Sequence, residues 1–417
     1  MHTTRVVLVG AGQAGLAVSR LLTDAGVDHV VLERGDVADR WRTRGWDSLR
    51  LLTPRWMSRL PQWSWTGPDP HGYMTRDEVV GYLSTYAESF DAPVVTGAQV
   101  LSVRPHGDGF LVVTTAGTWS AYDVVLATGH CAEPRVPEQA GSLAGTLHQV
   151  TSDAYRHPGD LPEGGVLVVG ASASGVQVAD ELRAAGRDVL LAVGNHTRLP
   201  RVYRGRDVLA WLSALGTLDR ERDTLPDPAV APHEPSMQLV GRDVPREMDL
   251  ATLQTRGVRL AGRLTAADGP RVRFAEDLHR TTRDADRRLT RLLTRVDAVA
   301  DAADAPPPAS PRPTAARVED APTTADLPGE GIRSVVWATG YRRPMPWLHV
   351  PALTPTGEVR QRAGRTPVPG LWVVGAAWQT RRSSAMLDGV RHDAALVVDA
   401  IVDRLAGPAR LALAVRP

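Results

Sequence analysis

The chain has 417 residues, which is enough for two domains with substantial hydrophobic cores. Its 48 basic residues, all of them arginine, balance 47 acidic ones, so no global field favours nucleic acid or a membrane surface as a partner. Cys131 is the only cysteine, which excludes an internal disulfide, a Cys-x-x-Cys redox pair and a thiolate metal cluster, and we predict no metal site. No apolar run is as long as a membrane span and no secretory pattern is present, so we expect a cytoplasmic protein.

The first predicted elements are a strand, a glycine turn and a helix. An apolar run leads into Gly10, Gly12 and Gly15, a spacing typical of dinucleotide-binding folds. In that pattern the first glycine makes the tight turn, the second lets the backbone approach a pyrophosphate, and the third lets the helix pack on the strand. The next strand ends in Glu33, about twenty residues further on, where a carboxylate binds a ribose 2′-hydroxyl. The alternative is an ordinary glycine turn followed by a solvated glutamate.

An irregular stretch dense in tryptophan follows, with Trp41, Trp46 and Trp56 among its members. These side chains could wall a flat apolar cavity at a domain interface, where ligand sites are common. For each single tryptophan, packing under a long loop is the alternative.

A helix and a meander complete the first predicted domain. The helix runs from about Thr75 to Phe90, and alternating segments at 100–104, 110–115 and 118–122 predict strands. A buried strand then ends in Thr128-Gly129.

A second strand, glycine turn and helix follow, in which Ser172 replaces the middle glycine and could bond a phosphate through its hydroxyl. The strand after this turn ends without a carboxylate and leads to Arg198, Arg201 and Arg204. Guanidinium groups bind a 2′-phosphate and a carboxylate would repel it, so the cluster favours NADPH over NADH. A solvated basic loop is the alternative.

The remaining segments suggest a discontinuous first domain. Residues 274–303 predict one long amphipathic helix, and the proline-rich 305–313 predicts a stiff or disordered connection. The strand 334–341 repeats the Ala-Thr-Gly ending, and we expect it to return the chain to the first domain. A last strand and a closing helix from about Ser383 to Leu405 complete the chain.

The predicted fold is therefore α/β, with two dinucleotide-binding (Rossmann-like) domains. We assign residues 1–160 to the first part of an FAD-binding domain, 161–330 to an inserted NADPH-binding domain, and 331–417 to the second part of the FAD-binding domain.

Together these motifs resemble the flavin-containing monooxygenase family, in particular its bacterial single-component enzymes, over nearly all of the chain. The segments that carry the resemblance are Gly10–Gly15 with Glu33, Arg40–Arg42, Asp47–Pro54, Val166–Gly175, Trp337–Tyr341, Arg381–Ser384 and Asp388 with Gly389. The resemblance implies FAD in the split domain, NADPH in the inserted one, and hydride delivery at the cleft between them.

The chain departs from the family pattern at two points. The family's identifying sequence places an aromatic residue closer to the histidine than Tyr155 lies to His148, so His148 receives no role and is expected at the surface or in the core. Many active members also have asparagine before the threonine-proline near the flavin, where this chain has Leu52. Leu52 removes a hydrogen-bonding group and makes the predicted cavity drier.

No serine-histidine, cysteine-histidine or paired-carboxylate arrangement stands out, so we expect flavin-centred catalysis. Leu52, Thr53 and Trp41 are the candidates beside the flavin. We also expect the closing helix near Ser383 to direct its N-terminal dipole at the flavin, with capping by Ser383 or Ser384 as the alternative. The predicted cofactor-binding residues are Gly10, Gly12, Gln13, Ala14, Gly15, Glu33, Arg34, Arg40, Trp41, Thr128, Gly129, Gly170, Ser172, Ser174, Gly175, Arg198, Arg201, Arg204, Thr339, Gly340, Gly375, Asp388 and Gly389.

The resemblance implies an NADPH-consuming monooxygenase that inserts one oxygen atom of O₂ into a small organic substrate through a C4a-(hydro)peroxyflavin. One alternative is an NADPH-dependent flavin reductase that passes electrons to a quinone-like or protein acceptor. Another is a flavin- and nicotinamide-binding sensor. The sequence leaves open the substrate and the oligomeric state. A homodimer is compatible with the sequence.

Overall fold

The computed structural model describes residues 1–243 and 246–407, so the last part of the predicted domain 331–417 lies outside the described residues. The main-sheet strands are β1 (His2–Val9), β2 (His29–Leu32), β3 (Val94–Val95), β4 (Val100–His106), β5 (Gly109–Thr114), β6 (Gly117–Leu126), β7 (His148–Thr151), β8 (Gly165–Val169), β9 (Val189–Ala192), β10 (Arg259–Ala261), β11 (Ile332–Trp337) and β12 (Leu371–Val373). The helices are α1 (Gln13–Asp24), α2 (Asp39–Thr43), α3 (Arg76–Glu88), α4 (Gln139–Leu143), α5 (Ala173–Ala184), α6 (Val208–Ala214), α7 (Leu250–Thr255), α8 (Leu278–Asp301) and α9 (Val390–Ala406).

The first sheet has the order β3-β2-β1-β6-β5-β4. Strands β1, β2 and β3 are parallel, whereas β4, β5 and β6 form the predicted antiparallel meander. The long strand β6 combines two predicted segments, because its first part pairs with β5 and its last residues pair in parallel with β12. Helices α1, α3 and α9 contribute buried apolar side chains to one core beside this sheet.

The second sheet is entirely parallel and has the order β7-β11-β8-β9-β10. Its central strands are continuous apolar runs, as expected when both faces are covered. Because β11 pairs with β7 and β8, the expectation that residues 334–341 return the chain to the first domain is wrong for this strand. The strands of the second sheet lie between His148 and Trp337, and the predicted bounds 161–330 of the inserted domain stay a prediction.

Several helices follow the predicted patterns. Thr75 caps α3 in a reciprocal capping box with Glu78, so α3 begins where the sequence predicted. Helix α8 is the predicted long amphipathic helix, although Phe274 lies in a preceding strand. Among the described residues, none of the helices is long and apolar enough to cross a membrane.

The shorter elements form turns and ribbons around the two sheets. The 3₁₀ helices are Arg55–Met57, Pro158–Asp160, Arg222–Thr224 and Ala231–His233. Small sheets pair Arg59–Leu60 with Trp63–Ser64, Thr197–Arg198 with Met237–Gln238, Val202–Tyr203 with Arg206–Asp207, and Leu264–Asp268 with Arg271–Phe274 and Thr324–Asp326. A further ribbon pairs Glu133–Pro134 with Tyr341–Arg342, and we call it the exit ribbon.

Candidate functional site

The first glycine turn lies between β1 and α1. Gly10 has φ +108°, and a Cβ there would lie 2.8 Å from the carbonyl oxygen of Ala127. A Cβ on Gly15 would overlap the carbonyl oxygen of Gly10, so the helix packs directly on the turn. Beside Gly12, in contrast, there is open space within 4 Å, which leaves room for a ligand to approach the backbone. The three glycines thus have the three different steric roles that the sequence predicted.

Glu33 is buried under this turn at the end of β2. Its Oε2 accepts a hydrogen bond from the Ala11 N–H at 2.7 Å, and its Oε1 accepts one from the Gly35 N–H at 3.2 Å. The carboxylate therefore lies at the turn itself, and its role as a ribose partner stays a prediction. Arg34, by comparison, points to the surface, where its guanidinium lies 3.6 Å from Asp39.

Two residues at the start of α1 were also predicted to bind the cofactor. Gln13 is half-buried, whereas Ala14 is buried. A Cβ on Gly375, which follows β12, would lie 2.9 Å from the Cβ of Ala14. The structure thus brings Gly375 to the first turn.

The Ala-Thr-Gly ending that follows β6 lies against the first turn. The hydroxyl oxygen of Thr128 is buried and has no hydrogen-bond partner among the described residues. Buried hydroxyls are nearly always paired, so this oxygen is suited to a ligand that completes the site. Gly129 follows with φ +73°.

The second turn repeats this geometry between β8 and α5. Gly170 has φ +107°, and a Cβ on Gly175 would overlap the Gly170 carbonyl oxygen. Ser172 has φ −82° and ψ −170°, nearly the backbone angles of Gly12 at −86° and −172°. Serine therefore fits the middle position without backbone strain. The half-buried Ser172 and Ser174 side chains stand at the beginning of α5.

The second Ala-Thr-Gly ending, after β11, lies against the second turn. A Cβ on Gly170 would overlap the carbonyl oxygen of Ala338. Thr339 differs from its counterpart Thr128, because its hydroxyl donates to the carbonyl oxygen of Arg135. Gly340 follows with φ +86°. The two units thus share one arrangement of glycine turn, helix and neighbouring strand ending.

The predicted arginine cluster has a different role from the one expected. Arg198 is buried, and its guanidinium binds Asp249 and, at 2.5 Å, Asp286. The buried Arg201 forms an ion pair with Asp207 and donates to the Leu52 carbonyl oxygen at 2.9 Å.

The buried Arg204 binds Asp297 and Asp301 of α8. All three guanidiniums of the cluster, those of Arg198, Arg201 and Arg204, therefore bind internal carboxylates. In this structure they hold loops together and do not present charge to a 2′-phosphate, so that prediction is corrected.

A different arginine lies where the cluster was expected. Arg288, on α8, is exposed and donates to the His196 carbonyl oxygen at 2.8 Å, just beyond the end of β9. It forms no ion pair among the described residues. Sequence reasoning missed it because α8 follows β9 by nearly a hundred positions, and only the tertiary fold brings them together.

The closing helix begins later than predicted. Helix α9 starts at Val390, with Gly389 as its N-cap, and no side chain caps it. Ser383 and Ser384 lie in a preceding turn, where the Ser384 hydroxyl accepts from the backbone N–H groups of Thr380 and Arg381. Both expectations for Ser383 and Ser384, a helix start and a helix cap, are therefore wrong.

Asp388 and Gly389 have internal contacts. Asp388 accepts two hydrogen bonds from Arg59, at 2.8 and 2.7 Å. A Cβ on Gly389 would overlap the Ser383 carbonyl oxygen, so packing explains this glycine. Neither residue needs a ligand to account for its position.

The tryptophans do not form one wall. Trp41 packs against the core of the first sheet, Trp46 belongs to the core beside α5, and Trp56 packs near α6 and α8. The half-buried Leu52 packs in the same cluster as Trp56, and Thr53 beside it is also half-buried.

The exits of β6 and β11 meet in the exit ribbon. Tyr341 lies opposite Pro134, Arg342 lies opposite Glu133, and the Arg135 N–H donates to the Gly340 carbonyl oxygen at 2.8 Å. Because each exit lies against a glycine turn, the ribbon holds the strand endings beside the two turns next to each other.

Positively charged side chains lie near the exit ribbon. The Arg40 guanidinium lies 4.8 Å above the Tyr341 ring and donates to the buried Asp153 at 2.6 Å. Part of the His130 side chain is accessible to solvent, although protein surrounds the rest of the ring. The resulting loss of hydration, together with the charges of Arg343 and Arg40, lowers the pKa of His130 to about 4. Burial also raises the pKa of the nearby Cys131 thiol. Near neutral pH His130 is thus uncharged.

His148, which received no role, lies exposed at the start of β7. Within residues 1–243 and 246–407, no group of three histidine, cysteine or acidic side chains is arranged to hold a metal.

A family model described as pyridine nucleotide-disulphide oxidoreductase matches residues 7–215. A Geobacillus kaustophilus protein named as an uncharacterized CzcO-like oxidoreductase is 30% identical over 405 residues, 96% of this chain and 99% of that protein. The chain belongs to the pyridine nucleotide-disulphide oxidoreductase family. Within this family it is a flavin-dependent oxidoreductase, as predicted.

Two further similarities agree with the predicted resemblance to flavin-containing monooxygenases. Indole-3-pyruvate monooxygenase YUCCA4 of Oryza sativa subsp. japonica is 38% identical over 194 residues, 42% of this chain and 44% of that protein. The flavin-containing monooxygenase from Stenotrophomonas maltophilia shares the fold with a TM-score of 0.67 at 22% identity, covering 97% of this chain and 100% of that one. The resemblance is confirmed, and the expectation of FAD and NADPH as cofactors agrees with it.

Proposed function

We propose that the chain is an NADPH-consuming monooxygenase that binds FAD at the first glycine turn and NADPH at the second. The observation that carries this proposal is the pairing of the two strand exits in the exit ribbon, because each exit lies against one of the two glycine turns. The first turn fits a nucleotide, since the space beside Gly12 is open and the buried Thr128 hydroxyl lacks a partner among the described residues.

The overall reaction balances with one substrate, O₂, NADPH and one proton from solvent. One oxygen atom enters the small organic substrate, the other leaves as water, and NADPH is oxidised to NADP⁺ by loss of a hydride that supplies two electrons and one of the two hydrogens of that water. When bound, FAD supplies the chemistry that takes up this hydride and delivers the two electrons to O₂.

The residues of the chain bind and orient the two nucleotides. The first N–H groups of α1 and of α5 would hold the pyrophosphates of the two nucleotides, and Glu33 would accept from a ribose hydroxyl of FAD. Gly375 brings the backbone after β12 close to Ala14 at the same turn. Arg288 takes the role first assigned to the buried cluster and binds the 2′-phosphate of NADPH, because it is exposed beyond the end of β9.

The loop at position 52 favours a dry site. The Leu52 carbonyl is held by the buried Arg201, and its apolar side chain packs near Met57 and Trp56, so this loop presents no hydrogen-bonding side chain at position 52. A dry site protects reactive species from hydrolysis.

Leu52 also favours a second function, an NADPH-dependent reductase that passes electrons to a quinone-like or protein acceptor. Asparagine at that position in the resembling enzymes can support oxygen chemistry through its amide, which leucine cannot provide.

Rapid-mixing absorbance spectroscopy separates the two functions. The FAD-loaded protein is reduced anaerobically with NADPH and mixed with oxygenated buffer while the flavin bands are followed. We expect a long-lived absorbance that differs from both oxidised and reduced flavin, and Leu52→Asn should lengthen its lifetime. Direct return to oxidised flavin in the wild type, together with fast turnover of a quinone, would instead establish the reductase.

A further inference from the structure

Gln238 is a fully buried amide that lies against the second glycine turn. Its Nε2 donates to the carbonyl oxygen of Ala171, the residue after Gly170, at 2.6 Å. Because a carbonyl oxygen only accepts hydrogen bonds, this contact fixes which end of the amide faces the turn. The other end, Oε1, is buried and has no hydrogen-bond partner among the described residues. Buried oxygens of this kind are nearly always paired, so Oε1 is suited to a donor that a ligand supplies.

The segment that carries Gln238 is held on the helix that follows this turn. Gln177 of α5 donates to the Leu239 carbonyl oxygen at 3.1 Å. At the start of the same helix, the Ala173 N–H donates to the hydroxyl of the exposed Ser236 at 3.4 Å. This distance is long for a hydrogen bond to an N–H group, so a phosphate oxygen at the beginning of α5 can replace the hydroxyl. The place of that phosphate is therefore next to Gln238.

The first turn has a buried side chain in a comparable position. Ala11 and Ala171 are the residues that follow the first glycine of each turn. The Glu33 carboxylate accepts from the Ala11 N–H at 2.7 Å, and the Gln238 amide donates to the Ala171 carbonyl oxygen. Each turn thus has a buried oxygen acceptor anchored on the same alanine. The acceptor is charged at the first turn and neutral at the second.

We propose that Oε1 of Gln238 accepts a hydrogen bond from the 3′-hydroxyl of the adenosine ribose of NADPH, in place of the carboxylate that is absent after β9. This inference rests on the proposed function. The 2′ position of NADPH carries a phosphate, so the 3′-hydroxyl is the donor that remains on this ribose. A carboxylate would repel the 2′-phosphate, whereas an amide provides the acceptor without the charge. Gln238 therefore favours NADPH from one side of the ribose, and Arg288 favours it through the phosphate.

Equilibrium binding of two small fragments to the FAD-loaded protein tests this contact without turnover. Adenosine 2′,5′-bisphosphate carries the free 3′-hydroxyl, and its 3′-deoxy analogue lacks only that group. We expect the wild type to bind the bisphosphate roughly fivefold tighter than the analogue, which is the effect of one neutral hydrogen bond. Gln238→Met removes the acceptor and should bind the two fragments equally. Calorimetric titration gives the Kd values.

Two further variants serve as controls. Gln177→Met removes another buried amide that holds the same segment, and it should keep the ratio of roughly fivefold, because a looser segment weakens both fragments alike. Gln238→Glu keeps an acceptor but adds a charge, so it should raise the Kd of NADP⁺ roughly tenfold more than that of NAD⁺. Flavin occupancy and the unfolding temperature show that each variant is folded.

Three results would overturn the role of Gln238. They are equal binding of both fragments by the wild type, a ratio that persists in Gln238→Met, and an unchanged preference for NADP⁺ over NAD⁺ in Gln238→Glu. Each of these results would leave NADPH at the second turn. A wild-type protein that binds FAD but neither the fragments nor NADP⁺ would instead remove the proposed function together with this contact.

Discussion

The two glycine turns have nearly the same backbone, yet their surroundings differ where a nucleotide would be distinguished. Gly10 and Gly170 have φ +108° and +107°, and both third glycines pack on the first. One strand further on, the first turn has the buried Glu33, whereas the second has a loop beside Arg288. Steric fit thus determines the backbone conformation of each turn, whereas the selectivity for one nucleotide over another depends on side chains supplied by more distant segments.

The largest expected effect is a loss of stability when one of the buried arginines beyond the second turn is replaced. Arg198→Met should lower the free energy of unfolding by about 3–5 kcal/mol, because Asp249 is left buried without a counter-charge. Urea unfolding measures the loss, and the affinities for NADPH and NADH should fall equally. The double variant with Asp249→Asn should recover part of the stability. A stable single variant that binds only NADPH more weakly would restore the original phosphate role.

In both turns the third glycine packs on the first, and this close packing predicts the next largest loss of stability. Gly15→Ala and Gly175→Ala should each cost about 1–3 kcal/mol of stability, since the new methyl group overlaps a carbonyl oxygen. Gly12→Ala is the matched control, because open space surrounds that position. It should unfold like the wild type but purify with less flavin. Full flavin content in Gly12→Ala would remove the pyrophosphate contact from the first turn.

Nucleotide preference sharpens the difference between the turns. Arg288→Gln should raise the Kd of NADPH about tenfold relative to that of NADH, as expected for loss of a hydrogen bond to a charged group worth ~1.5 kcal/mol. Arg287→Gln, at an exposed neighbouring position on α8, should have no such effect. Fluorescence titration with both nucleotides checks the ratio. An equal rise in the Kd values of NADPH and NADH would show that Arg288 does not bind the 2′-phosphate.

The smallest expected effect is a pH dependence at the second unit. Burial lowers the pKa of His196, so the folded protein keeps this ring neutral while the unfolded chain takes up a proton near pH 6.5. Its contribution to stability is therefore lost as the pH falls below about 6.5. The unfolding temperature of the wild type should fall more steeply from pH 7 to pH 5 than that of His196→Asn. Equal slopes would show that His196 does not titrate differently on folding.

The local elements could be predicted from sequence because their signals are local. The glycine spacing gives both turns, alternating residues give the meander, and Thr75 with Glu78 gives the start of α3. The predicted start of α9 is too early because Met386 and Leu387 extend the apolar pattern of the helix towards its N-terminus. In the structure the Ser384 hydroxyl closes a separate turn, and the helix begins only at Val390.

The long-range pairings could not be predicted. An apolar strand does not indicate which sheet it joins, so β11 was placed in the wrong unit. The arginine cluster suggested a phosphate site because its carboxylate partners on α8 lie about a hundred positions away, in a segment predicted only as a long amphipathic helix. The exit ribbon escaped notice because its two short strands are separated by the whole second unit.

The exit ribbon also has a mechanical consequence. The chain passes between the two units twice, and the hydrogen bonds of the ribbon hold these two passages side by side. A force that pulls the units apart is shared by two covalent connections, and sliding one past the other requires breaking the bonds between them. Other contacts away from the ribbon also join the units, such as the hydrogen bonds from Arg201 to the Leu52 carbonyl oxygen at 2.9 Å and from Tyr73 to Asp207 at 2.6 Å. Moving one unit against the other therefore requires breaking these side-chain contacts as well as the bonds of the ribbon.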